Sequence, residues 1–266
     1  MDASLYVLVI MKMLTSATIV VAASLVVERS GPFLGAMILT LPISAGPAFA
    51  FLAADHGAAF IAASALAGLP VSAATVIYMV VYATAAQRLG VLASVGAALG
   101  VWVVVVAMIL KVQWSLGGAL ALSTAAYALA LPFSRKLSAA AIQVAPKKRV
   151  WDVPFRAFLV MTVVGATLIA GNTLGPSVAG VAALAPVVLV SVALILQPRV
   201  GGAAAASVVA NGVPSMLGFV GALSLVYLCA ERFGAAVALI LALAVSVGWN
   251  ALLIALRRWR RAGADF

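Results

Sequence analysis

The sequence predicts an all-α fold, a polytopic membrane helix bundle of about nine transmembrane helices in which a linker helix joins two inverted four-helix repeats. Three observations lead to this prediction. Hydrophobic residues make up 66% of the 266 residues and charged residues 8%, with a mean hydropathy of +1.26. This composition excludes an ordinary soluble domain. Long uncharged runs also follow one another along the chain, and the two halves repeat each other's glycines and prolines.

The uncharged runs locate the spans, because a helix needs about 20 apolar residues to cross the hydrocarbon layer. The predicted spans are 5–27, 31–53, 57–85, 90–110, 114–133, 155–170, 175–196, 201–230 and 234–256. The third and eighth are long and carry Gly-x-Pro near the middle. Gly57 to Gly68 would extend only about 17 Å as a helix, half a membrane. We therefore expect one proline-kinked helix at each place and not two spans.

An offset of 144 residues relates the two halves without a gap. The matched positions are Gly31-Pro32 with Gly175-Pro176, Pro42 with Pro186, Gly57 with Gly201, Gly68 with Gly212, Pro70 with Pro214, and Arg88-Leu89-Gly90 with Arg232-Phe233-Gly234. Prolines are scarce here, so their coincidence in one register indicates a duplication. The predicted organisation is a first repeat (1–112), a linker helix with a basic loop (113–153), a second repeat (154–257) and a basic tail (258–266).

Basic residues indicate the orientation in the membrane. The net charge is +10, and the basic side chains cluster in the loop (Arg135, Lys136, Lys147, Lys148, Arg149, Arg156) and in the tail (Arg257, Arg258, Arg260, Arg261). The positive-inside tendency places both clusters in the cytoplasm, against anionic lipid headgroups, and nucleic acid is not an expected partner. Counting back through five spans puts the amino terminus outside.

The span count then predicts that the linker helix reverses the second copy, which gives a pseudo-twofold axis in the membrane plane. We expect a multi-pass protein of the bacterial cytoplasmic membrane. Its expected partners are the lipid bilayer and a small-molecule substrate, and a homodimer stays open.

Matching helix breaks in two inverted halves are typical of a transport site, because broken turns expose backbone groups at the bilayer midplane. The candidate substrate-binding residues at these breaks are Thr40, Pro42, Ser44, Gly68, Pro70, Ser72, Pro186, Asn211, Gly212, Pro214 and Ser215. The alternative is that these glycines and prolines only shape helix packing.

Further candidates are polar side chains inside predicted spans. Lys12 could bind an anionic group or exchange a proton, or its stem could extend to the outer interface. Tyr78 and Tyr82 share one helical face and could line a cavity, although Tyr82 could equally belong to the interfacial aromatic belt. Asn250 is expected to bond across the bundle or to a ligand. Asp55 is expected in a solvated outer turn.

Catalytic and cofactor motifs are missing from the sequence. His56 and Cys229 are the single histidine and the single cysteine, and no GxGxxG, Walker or zinc-ligand spacing occurs. The sequence therefore predicts neither an enzyme nor a bound metal or cofactor.

The segment Glu28-Arg29-Ser30-Gly31-Pro32, followed by Gly35 and Leu41-Pro42-Ile43-Ser44, resembles the small duplicated carriers of the drug/metabolite transporter superfamily. The resemblance implies a compact bundle of inverted repeats that moves a small metabolite along a gradient without a cofactor. That family usually pairs five spans with five, whereas four, a linker and four are predicted here.

These observations predict a secondary membrane transporter that moves a small organic metabolite, neutral or anionic or lipid-like, by alternating access of two inverted repeats. A second hypothesis is a non-transporting structural or assembly subunit of a larger membrane complex, whose Ala- and Gly-rich faces form interfaces. A third, an intramembrane enzyme acting on lipid, is disfavoured because no acid-base set is evident.

Overall fold

The computed structural model describes residues 3–29, 45–137 and 151–262, and every regular element within those ranges is a helix. In chain order the helices are α1 (Ala3–Arg29), α2 (Ala45–Asp55), α3 (Ala58–Ala85), α4 (Val91–Ile109), α5 (Leu116–Leu137), α6 (Asp152–Leu174), α7 (Pro176–Ala183), α8 (Val187–Val200), α9 (Gly202–Asn211), α10 (Val213–Phe233) and α11 (Ala235–Ala262).

Seven stretches of the described ranges are long and apolar enough to cross a membrane. They are Ala58–Ala85, Val91–Ile109, Leu116–Leu137, Asp152–Leu174, Pro176–Val200, Gly202–Phe233 and Ala235–Leu256. The all-α polytopic membrane bundle is therefore confirmed, and the protein is an integral membrane protein. Helix α1 covers the first predicted span, and the first part of the second lies outside the described residues.

Prolines and glycines interrupt the helices much as predicted. Helix α3 continues through Pro70 as one element, and its counterpart is interrupted at Gly212, between α9 and α10. The seventh span divides into α7 and α8, because the chain leaves the helix at Leu184 and Pro186 caps the next one. Gly175 begins this broken span with a φ of 85°, a left-handed conformation that favours glycine.

The sixth span is longer than predicted. The prediction was 155–170, whereas α6 runs from Asp152 to Leu174. Its first two turns include Asp152 and Arg156, which charge counting had assigned to the basic loop or to its edge. A charged residue can begin a membrane helix when a partner is within reach, and Asp152 has one, described below.

The helix boundaries follow the offset of 144 residues. Helix α6 corresponds to α1, α8 to α2, α9 with α10 to α3, and α11 to α4. Contacts between the halves are reciprocal as well, because α4 packs against α8 while α11 packs against α2.

Helix α3 forms the centre of the bundle, packing against α4, α5, α7, α9 and α10. Several of its large side chains, such as Leu69 and Tyr78, are fully buried, whereas α4 and α11 expose residues such as Leu92, Met108 and Ile240 on their outer faces. Exposed aliphatic side chains on a membrane helix are suited to lipid. The core of the protein is therefore built around α3.

Glycines allow the closest helix crossings. A Cβ at Gly202 would lie 1.7 Å from the carbonyl oxygen of Ala86, just past the end of α3. A Cβ at Gly212, at the other end of α9, would lie 3.2 Å from Cε of Met79. As α9 runs from Gly202 to Gly212, its contact on the α3 segment shifts from Ala86 back to Met79. The two helices therefore run antiparallel.

The crossing of α7 over α3 depends on Gly180, where a Cβ would lie 2.1 Å from the Ser64 carbonyl oxygen. Gly180→Ala should destabilise the protein by about 1–3 kcal/mol, because the helices must separate. Gly96→Ala is the control, since nothing lies within 4 Å of a Cβ there, and it should be neutral or slightly stabilising. Thermal unfolding in detergent measures both, and equal melting temperatures would contradict the crossing.

Candidate functional site

Two of the predicted breaks meet inside the bundle. A Cβ at Gly68 would lie 3.2 Å from Cδ1 of Leu184, in the turn between α7 and α8, and 3.6 Å from the carbonyl oxygen of Gly180. Gly68, Pro70 and Pro186 are all buried or nearly so. The Gly-x-Pro segment of α3 therefore lies against the turn that divides the seventh span.

Hydroxyl groups gather beside this contact. The Oγ atoms of Ser72 and Ser123 lie 3.1 Å apart, and they lie 2.7 Å and 3.1 Å from the carbonyl oxygen of Leu69. Both serines are buried. Ser123 belongs to the linker helix α5 and was not among the predicted site residues, because nothing in its sequence surroundings indicates that α5 packs here.

Tyr78 and Tyr82 carry two further buried hydroxyl groups on α3. Their rings stack with centroids 6.4 Å apart and planes 5° apart. Tyr82 donates to Oε1 of Gln197 at 3.0 Å, and Nε2 of Gln197 donates to the carbonyl of Leu89 at 2.9 Å. Both tyrosines are fully buried, so the interfacial alternative for Tyr82 is wrong.

The hydroxyl of Tyr78 has no hydrogen-bond partner among the residues that the structure describes. A buried polar group normally finds one, because leaving it unpaired costs free energy. Tyr78, one of the predicted site residues, is therefore buried with a hydroxyl group that bonds to none of the described residues.

The other break of the second half, at Gly212, does not lie at this contact. Asn211 is exposed and donates to the carbonyl of Ser207, one turn back on its own helix, at 2.9 Å. The carbonyl of Pro214 accepts from Nε1 of Trp249 at 2.9 Å, and Ser215 is half-buried. Gly212 contacts α3 at Met79, more than two turns from Pro70. This break thus packs between α3 and α11.

Asn250 does not join two helices through its amide nitrogen. It is buried, and Nδ2 donates to the carbonyl of Ser246 at 2.9 Å, one turn back on the same helix. The expected bond across the bundle is therefore not made by this donor. Thr40, Pro42 and Ser44 lie outside the described residues.

Lys12 pairs with an acid. Its Nζ contacts Oδ1 of Asp55, with side-chain exposures of 11% and 22%. Asp55 ends α2 as an exposed residue, as expected for an outer turn, but its carboxylate is paired with Lys12. His56 stacks on Phe60, with ring centroids 3.9 Å apart.

A second ion pair joins α6 to the end of α8. The two guanidinium nitrogens of Arg199 donate to the two carboxylate oxygens of Asp152 at 2.6 Å and 2.5 Å, with exposures of 17% and 18%. Sequence reasoning missed this pair. The offset of 144 residues could have drawn attention to Arg199, because Arg199 is at the position equivalent to Asp55.

Two open grooves are lined by residues that the structure describes. One, of about 770 Å³, lies between α6 and α8 and includes Asp152 and Arg199 in its lining. The other, of about 480 Å³, lies beside Lys111 near the end of α4. Neither groove includes Pro70 or Pro214 in its lining.

Comparison with known proteins gives no relative, since no family model, curated protein or solved structure matches the chain. The function is therefore argued from the site itself.

Two conservative substitutions separate the roles of the tyrosines. Tyr78→Phe should leave the free energy of unfolding unchanged or raise it by about 1 kcal/mol, because it removes an unpaired buried hydroxyl. Tyr82→Phe should lower it by about 1–2 kcal/mol, because the side-chain oxygen of Gln197 loses its donor. Thermal unfolding in detergent measures both, and a larger loss for Tyr78→Phe would show that its hydroxyl has a partner.

Proposed function

We propose that the protein is a secondary transporter for a small organic metabolite, neutral or anionic, that works by alternating access of two inverted repeats. One observation carries the proposal: the Gly-x-Pro segment of α3 lies against the turn between α7 and α8, deep inside a bundle of membrane-spanning helices. Irregular backbone at membrane depth is tolerated where protein or a water-filled cavity covers it.

The chemistry of the contact supports a polar organic substrate. At the contact, the hydroxyls of Ser72 and Ser123 both donate to the carbonyl of Leu69, and the unpaired hydroxyl of Tyr78 lies further along α3. All of these are neutral hydrogen-bonding groups. Such groups suit the hydroxyl, amide or carboxylate groups of a metabolite. A metal cation would need several oxygen ligands, commonly including carboxylates, and Asp55 and Asp152 are already paired with bases.

The course of the helices supports inverted repeats. Helix α9 runs antiparallel to its counterpart α3, and the elements of the two halves correspond along the chain. In inverted repeats, the two halves exchange environments when one rocks against the other, which opens the central site to each side in turn.

Reconstitution tests the proposal without knowledge of the substrate. Proteoliposomes are incubated with a mixture of neutral and anionic metabolites under a pH or sodium gradient, and retained solutes are identified by mass spectrometry. We expect at least one solute whose retention depends on the protein. Gly68→Leu should reduce that retention about tenfold, because a Cβ there would already lie 3.2 Å from Cδ1 of Leu184, so the larger side chain displaces the turn from α3.

Gly100→Leu is the matched control, since Gly100 is exposed on α4 with nothing within 4 Å of a Cβ. It should retain the solute at the level of the unchanged protein. Equal loss in both variants would contradict the site. If no solute is retained in a protein-dependent way and a fixed partner protein co-purifies in constant proportion, the assembly-subunit hypothesis is favoured instead.

A further inference from the structure

The two ion pairs occupy equivalent places in the two halves, with their charges exchanged. In the first half the base is on α1 and the acid is Asp55, at the end of α2. In the second half the acid is on α6 and the base is Arg199, near the end of α8. Helices α6 and α8 are the counterparts of α1 and α2, and Asp55 corresponds to Arg199. Each pair thus ties the first helix of its half to the end of a second helix, α1 to α2 and α6 to α8.

Their partners on the first helices also share a face. Asp152 corresponds to Leu8, which precedes Lys12 by four residues and lies on the same side of α1. The same connection has therefore been built twice, from residues of opposite sign. On α6 the acid lies one turn before Arg156, which is the position equivalent to Lys12.

The burial of the pairs suits contacts that form and break. Side-chain exposures lie between 11% and 22%. A fully exposed pair contributes little, and a fully buried one is costly to separate, because each lone charge would stay in a medium of low dielectric constant. At intermediate exposure, water that enters on opening can solvate both charges.

The two ends of the bundle differ in how tightly they are packed. Beside Asp55, Leu52 of α2 fills the space next to Gly171, where a Cβ would lie 2.7 Å from Cδ2 of that leucine. Beside Arg199, an open groove of about 770 Å³ runs along the contact between α6 and α8. Close packing therefore accompanies the charge pair at the Lys12 end, whereas a groove lies beside the pair at the Arg199 end.

We propose that the Lys12–Asp55 pair and the Asp152–Arg199 pair are the two gates of the transport cycle, at opposite membrane surfaces, and that they open in turn. The inference rests on the proposed function, because gates need a central site to enclose. Lys12 then acts by holding the outer gate and not by binding substrate. With both pairs formed, the described structure is the closed intermediate between the two open states.

Side-specific labelling of cysteines tests the gates without a substrate. Cys229→Ala provides the background, because Cys229 is the single cysteine of the chain. The reporters are Ala48→Cys and Val192→Cys, at equivalent positions seven residues before Asp55 and Arg199 on the same helical faces. Ala48 is fully buried and Val192 partly buried. A membrane-impermeant maleimide is added to one side of proteoliposomes of known orientation.

Opening one gate should raise the labelling of the reporter near it and lower the labelling of the other reporter. Asp55→Asn should raise labelling of Ala48→Cys from the outer side about tenfold and lower labelling of Val192→Cys from the inner side. Asp152→Asn should give the reverse. A tenfold change corresponds to a shift of about 1.4 kcal/mol between two states.

The other partner of each pair supplies an independent variant. Lys12→Gln should repeat the pattern of Asp55→Asn, and Arg199→Gln that of Asp152→Asn, so a misfolded single variant does not decide the result. Leu129→Cys, exposed on α5, is the control reporter and should not respond to any of these changes.

The outcomes separate the gates from the transporter. Changes confined to the nearer reporter, or no change, in a protein that still transports solute would contradict the gates and leave the proposed function intact. Reciprocal labelling in a protein that retains no solute would support two coupled gates and contradict the proposed transport.

Discussion

The structure depends on one constraint: a polar backbone group inside a membrane must find a partner within the protein. Continuous helices meet this requirement by themselves, but a broken helix does so only where another element covers the break. Here α3 covers the turn between α7 and α8, and Gly68 and Gly180 make that approach possible because neither carries a side chain. The break, its cover and the neighbouring hydroxyls therefore form one unit.

The same constraint explains where charges lie. An ion in an apolar bundle is costly alone, and the structure gives Lys12 a partner at the end of α2 and Asp152 a partner near the end of α8. Each charge on the first helix of a half is therefore neutralised by a residue of a neighbouring helix.

Composition and proline spacing predicted the fold class, the continuity of α3 through Pro70 and the divided span near Pro186, because these depend on local backbone chemistry. The pairing of Lys12 with Asp55 and the meeting of Ser72 with Ser123 could not be predicted, since both depend on how distant helices pack. Counting spans uses charges as boundary markers, which places Asp55 at an outer turn but does not reveal its partner. Tyr78 was found from its helical spacing, but its unpaired hydroxyl is visible only in three dimensions.

Inversion of the two repeats is the central claim, and the side of the membrane reached by two equivalent residues tests it most directly. Gln87, after α3, corresponds to Glu231, in the last turns of α10, and both are exposed. In the Cys229→Ala background, Gln87→Cys and Glu231→Cys are labelled in intact cells and in inside-out vesicles. The account predicts labelling of Glu231→Cys in cells and of Gln87→Cys only in inside-out vesicles. Labelling of both from the same side would contradict inverted repeats and, with them, alternating access.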